Sequence, residues 1–296
     1  MIEQAISQGA RIRSVALDYY QLAKPNIVGL TLVAALTGIY FGNHGVLPHW
    51  SMIFWTFLTL GLATAGSCML NNYNDRDIDR LMKRTSRRPL AVGLVDGRKV
   101  LVLSLALIIP SLVLMAWLVN PLTAAVTMVG VLGYTVVYTM MMKRTTPWAN
   151  QFGGIAGAVP PMVGYAAVTG ELGAAAWILF IIMVVWQQPH ALSLALKYRE
   201  EYARAGVPVI PVAHGVAATK QRIVIYNMAL LGVALMPYFY GMAGGYYLAA
   251  AIVLSLGFLG HSIKFLFSDK DYDIRLFLNS IFYFIILFSV MVIDSV

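Results

Sequence analysis

Long apolar segments alternate with short polar connections along almost the whole chain. Apolar runs of about 20 residues are long enough for a helix to cross a bilayer, and here they recur between glycine, proline and polar breaks. Hydropathy and these breaks together predict nine membrane-spanning helices. The predicted spans are residues 26–41, 51–71, 100–118, 122–142, 148–168, 174–195, 222–241, 244–263 and 275–293. The pattern therefore predicts an all-α protein that crosses the membrane nine times.

The connections between these spans alternate between uncharged and basic. GNHGVLPHW, NP, TGELG and GMAGG contain no lysine or arginine, whereas the N-terminal arm and the connections after spans two, four, six and eight, with their flanks, hold all 21 basic residues. Basic loops are retained in the cytoplasm. The charge pattern thus predicts a cytoplasmic N-terminus and a C-terminus outside.

Composition agrees with a membrane protein, because 59% of the residues are hydrophobic and only 11% are charged. A water-soluble domain would carry roughly 25% charged residues. The net charge of +8 follows from orientation, so we expect no nucleic-acid partner. The single cysteine, Cys68, excludes a disulfide framework or a cysteine metal cluster. We expect residues 1–24 to form an amphipathic arm on the cytoplasmic membrane surface and residues 25–296 to form one intramembrane domain.

Eleven of the 13 acidic residues lie on the same side as the basic ones. Orientation does not require this, because acidic residues contribute little to it. Asn71, Asp75 and Asp79 are spaced i, i+4 and i+8, so they share one face if the second span continues as a helix. Carboxylate and amide oxygens are ligands that Mg²⁺ prefers, often together with substrate phosphates. These three residues are therefore candidate metal ligands.

Basic residues surround this row in the sequence, and guanidinium groups bind phosphate in a bidentate manner. Carboxylates for a metal next to cations for phosphate predict a Mg²⁺–diphosphate site. An open alternative is a solvated loop held together by salt bridges. The candidate diphosphate ligands near the row are Arg76, Lys83, Arg84 and Arg87. Lys143 and Arg144, after the fourth span, either join them or serve only to orient the chain.

The connection after the sixth span repeats the theme with Lys197, Arg199 and Glu201. Each of the two acidic and basic loops, residues 72–99 and 196–221, follows the second span of a four-span block. This arrangement indicates a weak internal repeat in which both loops face one central cavity, where helical membrane proteins often place their sites.

At these residues the sequence resembles the UbiA superfamily of intramembrane prenyltransferases, which carries an Asn-x-x-x-Asp-x-x-x-Asp motif after its second helix. Within it, the chain is most similar to the branch that attaches a farnesyl group to haem. Three ordered stretches from Lys24 onward carry this similarity: NNYNDRDIDRLMKRTSRRPL, KRTTPWANQFGGIAGAVPPMVGY and WQQPHALSLALKYREEYARAGVPVIPV. One departure concerns the second aspartate motif of the quinone-type members, where this chain has Lys197 and Glu201.

The resemblance implies transfer of farnesyl from farnesyl diphosphate to a vinyl group of haem B, with Mg²⁺ held by the Asn71, Asp75 and Asp79 row and Lys197 as a further catalytic residue. It also implies a downstream haem A synthase or terminal oxidase as partner. The one-sided distribution of charge predicts a bacterial inner membrane location with the active site at the cytoplasmic side. The candidate residues for haem and the prenyl chain are His190, Tyr134, Tyr138 and Trp186.

Two other functions stay open at this point. One is prenyl transfer to an aromatic or quinone precursor, against which the missing second aspartate motif argues. The other is transport of an anionic substrate. A transporter places its polar groups near the middle of the bilayer, whereas the charges here gather at one surface, which favours an enzyme.

Overall fold

The computed structural model describes residues 15–296, and nearly all of them are helical. A single β-bridge, between Ala243 and Ser295, accompanies the helices in this part of the chain. The helices are α1 (residues 15–22), α2 (Pro25–Gly42), α3 (Trp50–Asp79), α4 (Gly97–Leu118), α5 (Pro121–Leu132), α6 (Ala149–Gly157), α7 (Pro160–Thr169), α8 (Ala174–Lys197), α9 (Arg199–Arg204), α10 (Ile210–Ala213), α11 (Gly215–Ala234), α12 (Met236–Phe239), α13 (Gly245–Leu266) and α14 (Ile274–Ile293). A π-helix, Gly133–Met142, continues α5.

Nine stretches of residues 15–296 are helical, long and apolar enough to cross a membrane, as the hydropathy pattern predicts. Three of them combine two elements: α5 with the π-helix, α6 with α7, and α11 with α12. The second span runs through Asp79 instead of ending near residue 71, and the seventh begins at Gly215 instead of 222. Polar residues lower the hydropathy without ending the helix, so these helices extend beyond their apolar parts.

Small residues allow α2 and α7 to approach each other closely. A Cβ atom on Gly38 would overlap the carbonyl group of Pro161, and one on Gly164 would overlap the carbonyl group of Ala35. Membrane helices associate through this kind of close backbone contact at glycine. Pro160 begins α7 directly after the break that follows α6. The glycine- and proline-rich stretch of the fifth span is thus a packing element.

The interior divides into a cluster mostly on α8, α11, α13 and α14 and a second cluster on α2, α3, α4, α5 and α7. Large apolar side chains also cover the outside of the bundle: Trp117, Tyr246 and Ile293 are each more than 80% exposed. Apolar surface on this scale suits contact with lipid. The chain is therefore a multi-pass membrane protein.

The end of the N-terminal arm is fixed against α3. Leu22 is 1% exposed and packs in a cluster with Met69 and Leu90, and its carbonyl oxygen accepts a hydrogen bond of 3.0 Å from Asn72 Nδ2. Residues 1–14 of the predicted amphipathic arm lie outside the described residues.

Candidate active site

The predicted row of polar residues lies on the last turns of α3, which continues as a helix through Asp79. Asn71, Asp75 and Asp79 are all buried, with exposed fractions of 3%, 1% and 2%. Their spacing places them on one face, because residues four apart in an α-helix lie one above the other. Burying two carboxylates is costly unless they are paired. The partners of the two aspartates therefore determine whether the row can bind a further cation.

Asn71 connects three elements. Its Nδ2 donates to Asp75 Oδ2 at 2.8 Å and to Thr139 Oγ1 of the π-helix at 3.2 Å. Its Oδ1 accepts a hydrogen bond of 2.7 Å from Lys24 Nζ, next to the start of α2. Burial lowers the pKa of Lys24 to about 8. The α3 face is thus hydrogen-bonded to the π-helix and to the residue that precedes α2.

Each aspartate of the row has one cationic partner. Lys143 Nζ lies 2.5 Å from Asp75 Oδ2, and Arg88 Nη1 lies 2.8 Å from Asp79 Oδ2. The other oxygen of Asp75, Oδ1, is buried and has no hydrogen-bond partner within residues 15–296. A buried carboxylate oxygen without a donor is costly, so Asp75 retains capacity for one more positively charged ligand.

Other predicted cations lie at the surface around the row. Arg144 is held by Asp77 through bonds of 2.7 and 2.6 Å and donates to the Asn74 carbonyl oxygen at 2.7 Å. The hydrogen bond to Asp77 raises the pKa of Arg144. Arg76 stacks over the Tyr73 ring at 4.3 Å. The exposed basic candidates of the two loops are Lys83, Arg84, Arg87, Lys197 and Arg199.

The two charged loops meet over this end of the bundle. Glu201 Oε2 accepts a hydrogen bond of 3.0 Å from the backbone N–H of Arg84. Lys197 Nζ and the Arg84 guanidinium lie 5.3 and 5.0 Å from the centre of the Tyr198 ring. Within residues 15–296 no three His, Cys, Asp or Glu side chains gather as a metal cluster. Glu201 therefore connects the two loops. It does not form a metal-binding cluster with Asp75 and Asp79.

An apolar cluster reinforces the contact between the loops. Ile78 and Met82 from the first loop region pack with Ala205, Val207 and Val209 from the second. Burial raises the pKa of Tyr202, which packs against the same cluster. The two loops thus form one cover next to the Asp79 end of the row.

An apolar cavity of about 170 Å³ lies one helical turn from Asn71. Helices α2, α3, α5, α6 and α7 and the π-helix line it, and Ser67, Cys68 and Tyr134 belong to its wall. Tyr134 stacks on Tyr138 with ring centres 5.7 Å apart, and Lys143 Nζ lies 5.8 Å from the Tyr138 ring centre. The charged row therefore adjoins the apolar cavity. This arrangement suits an amphiphilic molecule with an anionic head group.

The histidine and tryptophan candidates of α8 contact a different helix. Trp186 Nε1 donates to the Ser280 carbonyl oxygen at 2.7 Å, and His190 Nδ1 lies 2.7 Å from Ser280 Oγ. The two rings stack at 5.1 Å, and Phe277 lies 4.6 Å from the imidazole. These contacts join α8 to α14, whereas the aspartate row contacts the π-helix and α2.

Three residues of the site are missing from the sequence-based candidates: Lys24, Arg88 and Thr139. Lys24 adopts a left-handed backbone conformation, with φ 51°, directly before the proline that begins α2. Its contact with Asn71 joins residues 47 positions apart in the sequence, so no local pattern marks Lys24 as part of the site. Arg88 is one of several basic residues that are close together in the sequence. The backbone conformation of the loop determines that Arg88, and not one of the others, contacts Asp79.

The site thus combines a buried amide and carboxylate row with an adjoining apolar cavity, in a protein with nine stretches of residues 15–296 that are long and apolar enough to span a membrane. A sequence profile described as the UbiA prenyltransferase family matches residues 31–287. The chain belongs to this family and is a prenyltransferase, as its sequence motifs indicate.

Named relatives extend over nearly the whole chain. The protoheme IX farnesyltransferase of Aquifex aeolicus (strain VF5) is 43% identical over 284 residues, which cover 96% of this chain and 97% of that protein. The protoheme IX farnesyltransferase of Thioalkalivibrio sulfidiphilus (strain HL-EbGR7) is 40% identical over 277 residues, with 93% and 91% covered.

Solved structures share the fold at low sequence identity. One, described as a study of digeranylgeranylglyceryl phosphate synthase in membranes, has a TM-score of 0.77 at 18% identity and covers 94% of this chain and 98% of its own. A UbiA homologue from Archaeoglobus fulgidus bound to GPP and Mg²⁺ has a TM-score of 0.61 at 18% identity, with 93% and 99% covered. The all-helical UbiA-type fold expected from the sequence is confirmed.

Proposed function

We propose that the chain transfers the farnesyl group of farnesyl diphosphate to a vinyl group of haem B and so makes haem O. The observation that carries the proposal is the buried row on α3, with three cationic side chains bonded to it, beside an apolar cavity of about 170 Å³. Relatives at about 40% identity with the name protoheme IX farnesyltransferase support haem as the acceptor.

The row suits Mg²⁺ as the metal. Asp75 Oδ1 is a buried carboxylate oxygen without a partner among residues 15–296, and hard oxygen ligands of this kind, together with phosphate, are what Mg²⁺ binds. Asn71, Asp75 and Asp79 would hold the ion, which when bound stabilises negative charge on the diphosphate. The Archaeoglobus fulgidus homologue bound to GPP and Mg²⁺ supports this choice.

Cationic side chains of the chain bind the diphosphate. Lys143 contacts one carboxylate oxygen of Asp75, and Arg88 contacts one carboxylate oxygen of Asp79. When farnesyl diphosphate binds, each cation moves from its carboxylate oxygen to a phosphate oxygen. Lys24 adds a third ammonium or amine donor from the other side of Asn71. The exposed basic residues, Arg76, Lys83, Arg84, Arg87, Arg144, Lys197 and Arg199, raise the local concentration of the anion.

The transfer breaks the bond between farnesyl C1 and oxygen, the π bond of the haem vinyl group and one O–H bond of water, and it forms one C–C and one C–O bond. The bond between farnesyl C1 and oxygen breaks, and its electron pair leaves with the diphosphate. The π electrons of the haem vinyl group then form a C–C bond to C1, and water adds to the resulting carbocation and loses a proton, which gives the hydroxyethylfarnesyl side chain. Tyr134 and Tyr138 offer aromatic faces to the allylic cation, and the apolar cavity keeps water from it.

The haem acceptor needs a separate surface beside the prenyl chain. Trp186 and His190 form a stacked pair on α8, and Ser280 holds the imidazole through Nδ1. In this proposal Nε2 of His190 is the nitrogen that a haem iron takes. Both residues enter the proposal as contacts to the acceptor.

The same proposal includes the setting of the enzyme. The basic connections support a cytoplasmic active site and N-terminus, in the inner membrane of a bacterium, with residues 25–296 acting as one domain of two related four-span blocks. Haem O then passes to a haem A synthase or a terminal oxidase.

The decisive experiment is a turnover assay on the purified protein in detergent with farnesyl diphosphate. Haem B and 4-hydroxybenzoate are offered in separate reactions, each with Mg²⁺ and with a chelator, and Asp75→Asn serves as the inactive control. We expect a mass gain on haem that corresponds to hydroxyethylfarnesyl and that requires Mg²⁺. Prenylated benzoate would instead assign the enzyme to quinone precursors, and product formation undiminished by the chelator would overturn the metal assignment.

A further inference from the structure

A lysine away from the aspartate row is buried between α11 and α13. Lys220 is 6% exposed, and its Nζ donates a hydrogen bond of 2.7 Å to the Ser268 carbonyl oxygen just after the end of α13. The same Nζ lies 4.6 Å from the centre of the Phe265 ring. Neither contact neutralises an ammonium group.

The charge of Lys220 has no acidic partner in the part of the chain that the structure describes. An ammonium has three N–H donors, and Ser268 uses one of them. Among residues 15–296, no carboxylate lies within salt-bridge distance of Lys220 Nζ. A buried charge is costly unless it is paired, so Lys220 retains the capacity to bind an anion.

An open crevice gives such an anion access. Its volume is about 490 Å³, and Lys220 and Ser268 belong to its wall, so their hydrogen bond lies at the crevice surface. The other lining residues are Val216, Ala217, Gln221, Leu266 and Phe267. One wall is therefore basic and polar, and the rest is mainly apolar.

The crevice lies at the same end of the bundle as the aspartate row. Arg222, which follows the crevice residue Gln221 on α11, stacks over Trp148 at 5.1 Å. Trp148 directly precedes α6 and lies five residues after Lys143 in the sequence. Phe267, at the rim, is 82% exposed, and aromatic side chains at such positions sit at the membrane–water interface. An opening beside such an aromatic ring suits contact with lipid headgroups.

We propose that this crevice binds the phosphate group of an anionic phospholipid, with Lys220 as its charged partner and Phe267 in contact with the acyl chain region. Basic pockets between membrane helices recognise anionic headgroups in this way. A lipid is favoured over a soluble phosphate because the lining is largely apolar and the rim is an exposed aromatic ring. The site is separate from the residues of the proposed reaction.

Native mass spectrometry of the protein released from nanodiscs tests this assignment. The discs contain equal amounts of phosphatidylglycerol and phosphatidylcholine, and the number of each lipid retained is counted. For Lys220→Met we expect about fivefold less retained phosphatidylglycerol, since one basic residue near a membrane contributes about that factor in affinity. Lys264→Met, which removes an exposed lysine of the last turn of α13, should retain as much as the unaltered protein.

A second variant covers the case in which Lys220→Met does not fold. Ala217→Phe fills the crevice while leaving Lys220 and its hydrogen bond in place, and we expect the same loss of phosphatidylglycerol. Equal retention in all variants, with Lys220→Met equally destabilised in both lipids, would make Lys220 only a link between α11 and α13. Displacement of phosphatidylglycerol by millimolar glycerol 1-phosphate would assign the crevice to a soluble phosphate and overturn the lipid.

Discussion

Lys143 Nζ lies 2.5 Å from Asp75 Oδ2, although the two residues are far apart in the sequence and belong to different spanning helices. Their side chains are only 12% and 1% exposed. Desolvation opposes a buried ion pair, and removing one partner typically costs about 3–5 kcal/mol. The pair therefore fixes the end of the π-helix against α3, and it holds the proposed phosphate ligand Lys143 beside the proposed metal ligands before any substrate binds.

Replacing Asp75 by Asn should lower turnover by at least about 100-fold, because the amide cannot supply the negative charge that a metal needs. The Asn side chain still accepts a hydrogen bond from Lys143, so we expect a folded protein by size exclusion in detergent. Asp269→Asn, at an exposed position after the end of α13, is the control and should keep normal turnover. Near-normal activity of the Asp75 variant would remove Asp75 from the metal site.

Replacing Lys143 by Met should raise the KM for farnesyl diphosphate by about tenfold or more, because a charge-assisted hydrogen bond to phosphate contributes about 1.5–3 kcal/mol. Lys99→Met, at an exposed position in the first turn of α4, is the matched control. Steady-state kinetics with varied donor and saturating haem measure the effect. An equal rise of KM in both variants would indicate a general electrostatic effect and would contradict a specific contact between Lys143 and the diphosphate.

Two adjacent arginines give a sharper comparison. Arg88 contacts Asp79 at 2.8 Å, whereas Arg87 is exposed. We expect Arg88→Gln to reduce kcat/KM for the donor by about tenfold or more and Arg87→Gln to change it much less. The opposite order would mean that the loop rearranges when the diphosphate binds and brings Arg87 to the row.

Glu201 offers a test between a structural and a metal-binding role. It accepts a hydrogen bond from the backbone of Arg84, and an amide oxygen can replace it there. Glu201→Gln should therefore keep most of the activity and thermal stability, whereas Glu201→Ala should lower the melting temperature by a few degrees, as expected for the loss of about 1 kcal/mol. A Gln variant that needs much more Mg²⁺ for turnover would instead make Glu201 a metal ligand.

The contact between α2 and α7 predicts a strong effect of one methyl group. Gly164→Ala places a Cβ atom onto the Ala35 carbonyl group, so the two helices have to separate, at a cost of about 1–3 kcal/mol or more. Gly29→Ala, on α2 where the added Cβ would meet no atom of another part of the protein within 4 Å, should be tolerated. Melting temperatures in detergent measure both, and equal values would show that the helices move apart without cost.

Local patterns in the sequence are sufficient to predict the spans and the polar row. Apolar length defines a membrane helix, and a four-residue spacing places Asn71, Asp75 and Asp79 on one face when the helix continues. Both features depend only on neighbours in the chain. The structure bears out the nine spans and the continuation of α3.

The partners of the row depend on contacts that the sequence does not contain. Thr139 and Lys24 reach Asn71 from distant segments, and the loop backbone decides that Arg88 contacts Asp79. Likewise, nothing in the α8 sequence shows that Trp186 and His190 bond to Ser280 of α14. Such long-range pairing follows from how the helices pack and not from their periodicity.

The π-helix at Gly133–Met142 makes the site sensitive to the number of residues in one span. Its wider turns, with bonds from i to i+5, set the angle at which Lys143 leaves the helix axis. Deleting one residue there would let the segment revert to ordinary α-helical winding, with its apolar composition almost unchanged. The side chain of Lys143 would then point in a different direction and would lose its contact with Asp75. The shift in helical register alone would cause this loss, in a protein that still inserts normally into the membrane.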